Sequence, residues 1–315
     1  EYCNCAVLVD HVYFCDLGVQ LFRIDLDNTA KTLGLFAKKP KILLDLSTTN
    51  GTSPRFYEMP AFSIYDKAGT TFAVISIGSG NRSNPLVDYA VNVAGRYDDA
   101  VYNIYDKDVT ARDLFTKGSD LTKTVTVLSD LGEVTQTNRN DNTTLVAPYT
   151  ATGWYFKFKS DKIQSAKVFA TPRVLNSRML VTTFDGSKTG LSGSCGAGVK
   201  GESFLSQFCM PFGQCAKPTG SGITIECSSG DGCSIGSGIQ DTAIVDDKMC
   251  NPATDPKGCK DEDEDKNTPK PDDITNGNYC SSAGPRGATI QGGIVSAGNS
   301  QICLVPQRWF EYSNK

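Results

Sequence analysis

An all-β fold follows from three features of the sequence: short segments rich in β-branched and aromatic residues, turn residues between them, and no helical period long enough for a helical domain. The segments are residues 11–15, 20–26, 41–46, 71–77, 101–105, 122–128, 154–158 and 178–184. Each is four to eight residues long or close to it, and several alternate apolar with polar side chains, the period of a strand. Asp27-Asn28, Thr49-Asn50-Gly51, Lys67-Ala68-Gly69, Gly78-Ser79-Gly80 and Asp185-Gly186 separate them. These residues accept positive φ or cap a turn with their own side chains, so meander connections are expected. Helix-compatible stretches are confined to 111–114 and 203–208, too short to carry a helical domain.

Composition narrows the class. With 315 residues and 39% hydrophobic content, the chain can bury a substantial core, which excludes a disordered or fibrous protein. The net charge of −4 leaves no basic field for phosphate backbones or anionic lipid, so nucleic acid is not an expected partner. No apolar run has the length of a membrane span. The chain opens at Glu1 and reads as a mature product or as a piece of a longer chain.

Twelve cysteines, an even number, imply a disulfide framework and an extracytoplasmic compartment. Zinc would need paired C-x-x-C elements, and the spacings here are C-x₅-C at Cys209 and Cys215, C-x₅-C at Cys227 and Cys233, and C-x₈-C at Cys250 and Cys259. The first two pairs enclose turn residues, which makes local closure easy. Cys250 with Cys259 and Cys280 with Cys303 are the next expected pairs; the connectivity of Cys3, Cys5, Cys15 and Cys195 stays open.

Three regions are expected: 1–190 as repeated β-sheet units, 191–287 as a Cys-rich and acidic loop region inserted in the same domain, and 288–315 as closing strands. Residues 241–273 hold eleven acids against five bases, a charge of −6, so the rest of the chain carries +2. Within this stretch Asp261, Asp263, Asp265, Asn267 and Asp272 fall at positions 1, 3, 5, 7 and 12 of a twelve-residue loop, a calcium-ligand spacing. Lys266 stands where the tight turn wants glycine, and Pro269 and Pro271 stiffen the second half. A solvated acidic loop is therefore favoured over a calcium site, with calcium as the candidate cofactor.

Catalysis is not expected. His11 is the only histidine and begins a strand beside Asp10, whereas nucleophilic triads and most general-base schemes need a histidine placed near a Ser or Cys and a carboxylate. Asp98 and Asp99, adjacent on an extended segment, point to opposite faces and cannot flank one glycosidic bond. A quinoprotein dehydrogenase would repeat a tryptophan docking motif, and only Trp154 and Trp309 are present. Trp154 and Tyr155 are expected in the core rather than on a ligand platform.

One unit recurs: a strand with an aromatic, a turn, and a strand whose Arg or Lys alternates with apolar residues. It occupies 12–26 and, more loosely, 153–158 leading to 174–184, and such recurrence predicts propeller blades before a sandwich. Residues 13–25, Tyr-Phe-Cys-Asp-Leu-Gly-Val-Gln-Leu-Phe-Arg-Ile-Asp, resemble the Y-V-G-D-L-x-G-x-L-W-R-F-D strand pair of the PilC/PilY family of type IV pilus biogenesis and tip adhesin proteins. Residues 73–81 and 100–106, Ala-Val-Tyr-Asn-Ile-Tyr-Asp, are similar to that family's F-G-T-G-R-Y and S-x-Y-x-I-x-D. Gly153-Trp154-Tyr155, residues 167–174 and 181–184 are similar to its G-W-Y and the paired strands after it. The order holds over residues 13–195, and beyond it the resemblance thins to 208–215 and the final aromatic segment.

The resemblance implies an all-β, modified β-propeller, incomplete or irregular, with long disulfide-bracketed loops. It also implies a place at the pilus tip, outer-membrane surface or periplasm, where the protein promotes pilus assembly by opposing retraction and supports adhesion and twitching motility. Minor pilins and a host-surface receptor are the implied partners. A different class remains: a secreted propeller that binds glycan or host protein with no pilus role. The pattern is edited, with Cys15 for the family's glycine and Phe22 for its tryptophan. The family's acidic calcium loop would fall ahead of His11, where residues 1–10 do not supply it, and its Arg-Gly-Asp is absent, since Ala288 follows Arg286-Gly287.

Overall fold

The computed structural model describes residues 10–47, 54–110 (apart from 68, 91–92 and 94–95), 114, 125–139, 152–158, 163–189 (apart from 176), 200–215 and 232–241, with the backbone of 287–290 and 293–296. Two compact units divide the chain. One holds Glu1–Val7, Ser221–Ile223 and Ala243–Lys315, and the other holds Leu8–Gly220 and Thr224–Thr242. The first unit is represented among the described residues by the antiparallel hairpin Gly287–Ile290 with Gly293–Ser296.

The larger unit is all-β. In chain order its strands are β1 His11–Cys15, β2 Gln20–Asp25, β3 Lys41–Asp45, β4 Ala61–Lys67, β5 Thr70–Gly78, β6 Tyr89–Ala90, β7 Ala100–Asp106, β8 Gly132–Val134 and β9 Gly153–Lys157. Then follow β10 Ile163–Gln164, β11 Ala166–Val168, β12 Arg173–Leu175, β13 Arg178–Asp185, β14 Glu202–Cys209 and β15 Cys233–Ser237. They form a three-stranded sheet β1-β2-β3, a five-stranded sheet β4-β5-β7-β9-β8, and a sheet β11-β13-β14-β15 with β12 also on β13; β10 pairs with β6. The described sheets are separate and do not close into a ring. A single turn of helix, α1 Leu33–Phe36, interrupts the strands with no buried residue and was not expected from the sequence.

The five-stranded sheet is the middle layer. Its inner strands β5, β7 and β9 are buried on both faces, so β5 reads Phe-Ala-Val-Ile-Ser-Ile with little alternation in polarity, whereas edge strand β4 leaves Phe62 and Ile64 exposed. Ala73, Ile75, Ile77, Ala100, Tyr102 and Ile104 pack with Leu21, Leu43 and Leu44 of the three-stranded sheet. Phe72, Val74, Val101, Tyr105, Trp154 and Phe156 pack with Met179, Val181 and Phe208 of the other five-stranded sheet. Trp154 is fully buried, as expected, and its indole N–H donates to the Pro211 carbonyl at 2.7 Å.

Two expectations about elements need correction. Residues 203–208 are not helical: they form most of β14, whose central position between β13 and β15 buries both faces. Of residues 122–128, the described part contributes one parallel bridge, Thr126 to Leu44. The run ends there because the Asp130 carboxylate accepts from the Val127 N–H at 2.9 Å and turns the chain.

Candidate functional site

The residues that carry the family resemblance meet inside the molecule. β2 runs Gln-Leu-Phe-Arg-Ile-Asp, with Leu21, Arg23 and Asp25 facing the middle sheet and Phe22 and Ile24 half-exposed on the other side. The middle sheet's facing row on β7 runs Ala100, Tyr102, Ile104, Asp106, so its last member brings a carboxylate to the Arg23 guanidinium. Arg23 Nη1 donates to both Asp106 oxygens, at 2.7 and 2.6 Å, and Arg23 Nε lies 2.7 Å from Asp25 Oδ1. The Tyr13 hydroxyl donates to Asp106 at 3.1 Å. His11 Nδ1 lies 3.0 Å from Asp25 Oδ1, and Lys41 Nζ lies 3.4 Å from Asp25 Oδ2.

Charges in this cluster are balanced by contact rather than by water. Burial raises the Asp25 pKa, but the His11 hydrogen bond, the Arg23 charge and bonds and Lys41 together outweigh it and hold the carboxyl down to about 2. Burial, then Asp106, pushes the Tyr13 phenol far above its ordinary value. His11 is thus engaged with a carboxylate, and at the other end of β1 the free thiol of Cys15 donates to the Glu58 carbonyl at 3.3 Å. Burial, then Asp16 and Glu58, pushes that thiol up to about 11, away from nucleophilic use.

A second polar cluster lies at the opposite end of β7. Asp99 is buried, its carboxylate accepting from the Ser79 hydroxyl at 3.1 Å and its backbone held by Gln164 through two 2.6 Å bonds. Burial pushes the Asp99 pKa up to about 6 against the opposing Ser79 bond, Lys167 and Arg96. Asp98 pairs instead with Arg96 at 3.3 Å, so the two carboxylates do different jobs and form no acid–base pair. Lys167, from the third stretch of the resemblance, donates to the carbonyls of Pro85, Val87 and Ser165 at 3.1, 2.8 and 3.0 Å and so pins the 85–87 loop.

Packing between the middle sheet and β13-β14 ends in a cleft of about 610 Å³. Along the inward face of β13 the residues run Met179, Val181, Thr183, Asp185, turning polar as the strand leaves the core. Their neighbours on β14 run Phe208, Ser206, Phe204 in the same direction. Phe156 and Phe158 form part of the facing wall, with Glu133 and Lys157, 3.5 Å apart, beside them. Sequence reading missed this cleft because it depends on how two sheets diverge; the polar turn at Thr183 and Asp185 was its only local sign.

Among the expected disulfides, Cys209 is bonded to Cys215 with a Cα–Cα distance of 5.0 Å. Cys233 is also disulfide-bonded, and its partner lies outside the described residues. Cys227, Cys250, Cys259, Cys280 and Cys303 lie outside the described residues, as do Asp261, Asp263, Asp265, Asn267 and Asp272. Among the described residues no group of three or more His, Cys, Asp or Glu is placed to hold a metal ion, and no helix is long and apolar enough to cross a membrane.

No protein-family model matches the chain, and no curated protein matches it. Among solved structures it is similar to the Pseudomonas aeruginosa PilY1 C-terminal domain, with a TM-score of 0.49 and 11% identity over 77% of this chain and 54% of that one. The chain therefore spans about half the length of that structure.

Proposed function

We propose that this chain is a non-enzymatic, extracytoplasmic protein of the PilC/PilY type that acts at the type IV pilus tip, promotes pilus assembly by opposing retraction, and contributes to adhesion. One observation carries the reading: the motifs that resemble the family, far apart in sequence, hold one another in place. Tyr13, Arg23 and Asp25 of the first motif meet Asp106, the last residue of the second, and Trp154 of the third is fully buried. Residues used this way specify a scaffold, which supports binding through surfaces over chemistry at a centre. The Cys15 thiol, pushed up to about 11 by burial and its acidic neighbours, supports the non-enzymatic reading.

Deleting the gene in its source organism and counting surface pili by electron microscopy tests the proposal. Fewer pili and weaker adhesion are expected. Normal piliation would remove the pilus role and leave a secreted binding module.

A further inference from the structure

The cleft between the middle sheet and β13-β14 is lined by more polar groups than its place in the fold requires. Inward positions that continue a packed row are ordinarily apolar; here the Thr183 hydroxyl donates to the Phe204 carbonyl at 3.4 Å, which leaves its lone pairs to accept from the cleft. Thr183 is 2% exposed, Ser206 3% and Asp185 9%, each following Met179, Val181 or Phe208 along its strand. Asp185 is also fixed in direction: its Oδ1 accepts from the Ser187 N–H at 2.9 Å and the Ser187 hydroxyl at 2.7 Å. A carboxylate locked by one oxygen beside a row of hydroxyls is a preorganised acceptor for donors arriving from the cleft.

The lining restricts the ligand class. Six of the lining residues carry hydroxyls, and the carboxylates of Asp88, Glu133 and Asp185 stand against the ammonium groups of Lys157 and Lys188. An anion meets three carboxylates, a cation meets two ammonium groups, and a purely apolar ligand would strand the hydroxyls. Phe156, Phe158 and Phe204 add apolar ring surface among these groups. The matching ligand both donates and accepts hydrogen bonds along its length, carries no net charge, and has patches of C–H. At about 610 Å³, the volume lies within the range of roughly 300–1,000 Å³ of small-ligand sites. From this geometry we infer that the cleft binds a short neutral saccharide, with Asp185 accepting from a sugar hydroxyl, Ser206 and Thr183 bonding its neighbours, and Phe204 packing on ring C–H groups. The inference does not rest on the pilus role.

The test titrates the full chain with glucose, galactose, mannose, N-acetylglucosamine, lactose and chitobiose, reading thermal shift and amide chemical shifts. At least one is expected to saturate and to raise the melting temperature. Asp185→Asn and Ser206→Ala should each weaken that binding about tenfold or more, with near-UV circular dichroism unchanged, while Asp66→Asn on β4 should leave it intact. Should Asp185→Asn fail to fold, Ser206→Ala and Phe204→Leu decide. Saturation by none of the six sugars, equal affinity in the cleft variants, or binding of sialyllactose or a neutral tetrapeptide in their place would overturn the inference.

Discussion

Arg23 and Asp106, 83 residues apart in sequence, meet at 2.6 Å with both side chains fully excluded from solvent. The pair lies where the three-stranded sheet packs on the middle sheet, so it reports on the union of two layers. Burying two ions is repaid only where geometry and further hydrogen bonds are good, and here the Tyr13 hydroxyl donates to Asp106 and Arg23 Nη2 donates to Asp25 Oδ2 at 3.2 Å. Breaking the pair leaves one charge buried without its partner. Arg23→Met leaves Asp106 charged and buried, and should cost about 3–5 kcal/mol. Arg23→Met combined with Asp106→Leu should recover much of that loss. Urea unfolding of the three proteins followed by tryptophan fluorescence checks both outcomes.

Asp25 and Asp99, both buried, predict opposite pH dependences. Asp25 is depressed to about 2 from an ordinary 3.8, so its contribution is present above pH 3.8 and is lost as pH falls toward 2. Asp99 is raised to about 6, so the folded state holds its proton more tightly than the unfolded state and stability declines as pH rises from about 4 to 6. Asp25→Asn should flatten the acid limb, and Asp99→Asn should flatten the decline between pH 4 and 6. Urea midpoints measured from pH 2 to 7 for each variant against the parent separate the two windows.

Gly153 shows why the Gly-Trp-Tyr stretch opens on glycine. Its φ is +150°, and a Cβ there would overlap the Asn103 carbonyl oxygen of the paired strand and crowd Leu131. Gly153→Ala should therefore destabilise by about 2–4 kcal/mol through backbone strain and overpacking together. Gly34→Ala in α1, where nothing lies within 4 Å, should stay within about 0.5 kcal/mol. Thermal denaturation of both variants is the check.

The Cys209–Cys215 bond closes a short loop beside β14. Replacing both cysteines by serine should cost about 2 kcal/mol, the loop-closure entropy of so small a ring. Mass spectrometry of unreduced peptides from secreted material should show the link, and free thiols at both positions would contradict the extracytoplasmic assignment.

Much of the strand content was legible because short β-branched runs between turn residues leave few alternatives, as at β1, β5, β7 and β13. Trp154 was placed in the core on its type alone. What was hidden depended on partners distant in sequence. The alternation in β2 marks two faces but not which is inside, and the buried face proves to be the one with Arg23 and Asp25, since Asp106 lies across from it. β14 resembled a helix because a strand buried on both faces loses its two-residue period, leaving Phe204, Leu205 and Phe208 at helical spacing. The cleft follows from sheet divergence, which leaves no local sign beyond the polar turn at Thr183 and Asp185.

The most direct test of the account is the number of surface pili in a gene deletion compared with the same deletion in a strain whose retraction is also disabled. The account predicts few pili in the single deletion, partial recovery when retraction is lost, and restoration by the intact gene. Normal pilus numbers in the single deletion, or a loss of pili that disabling retraction leaves unchanged, would contradict a role in opposing retraction.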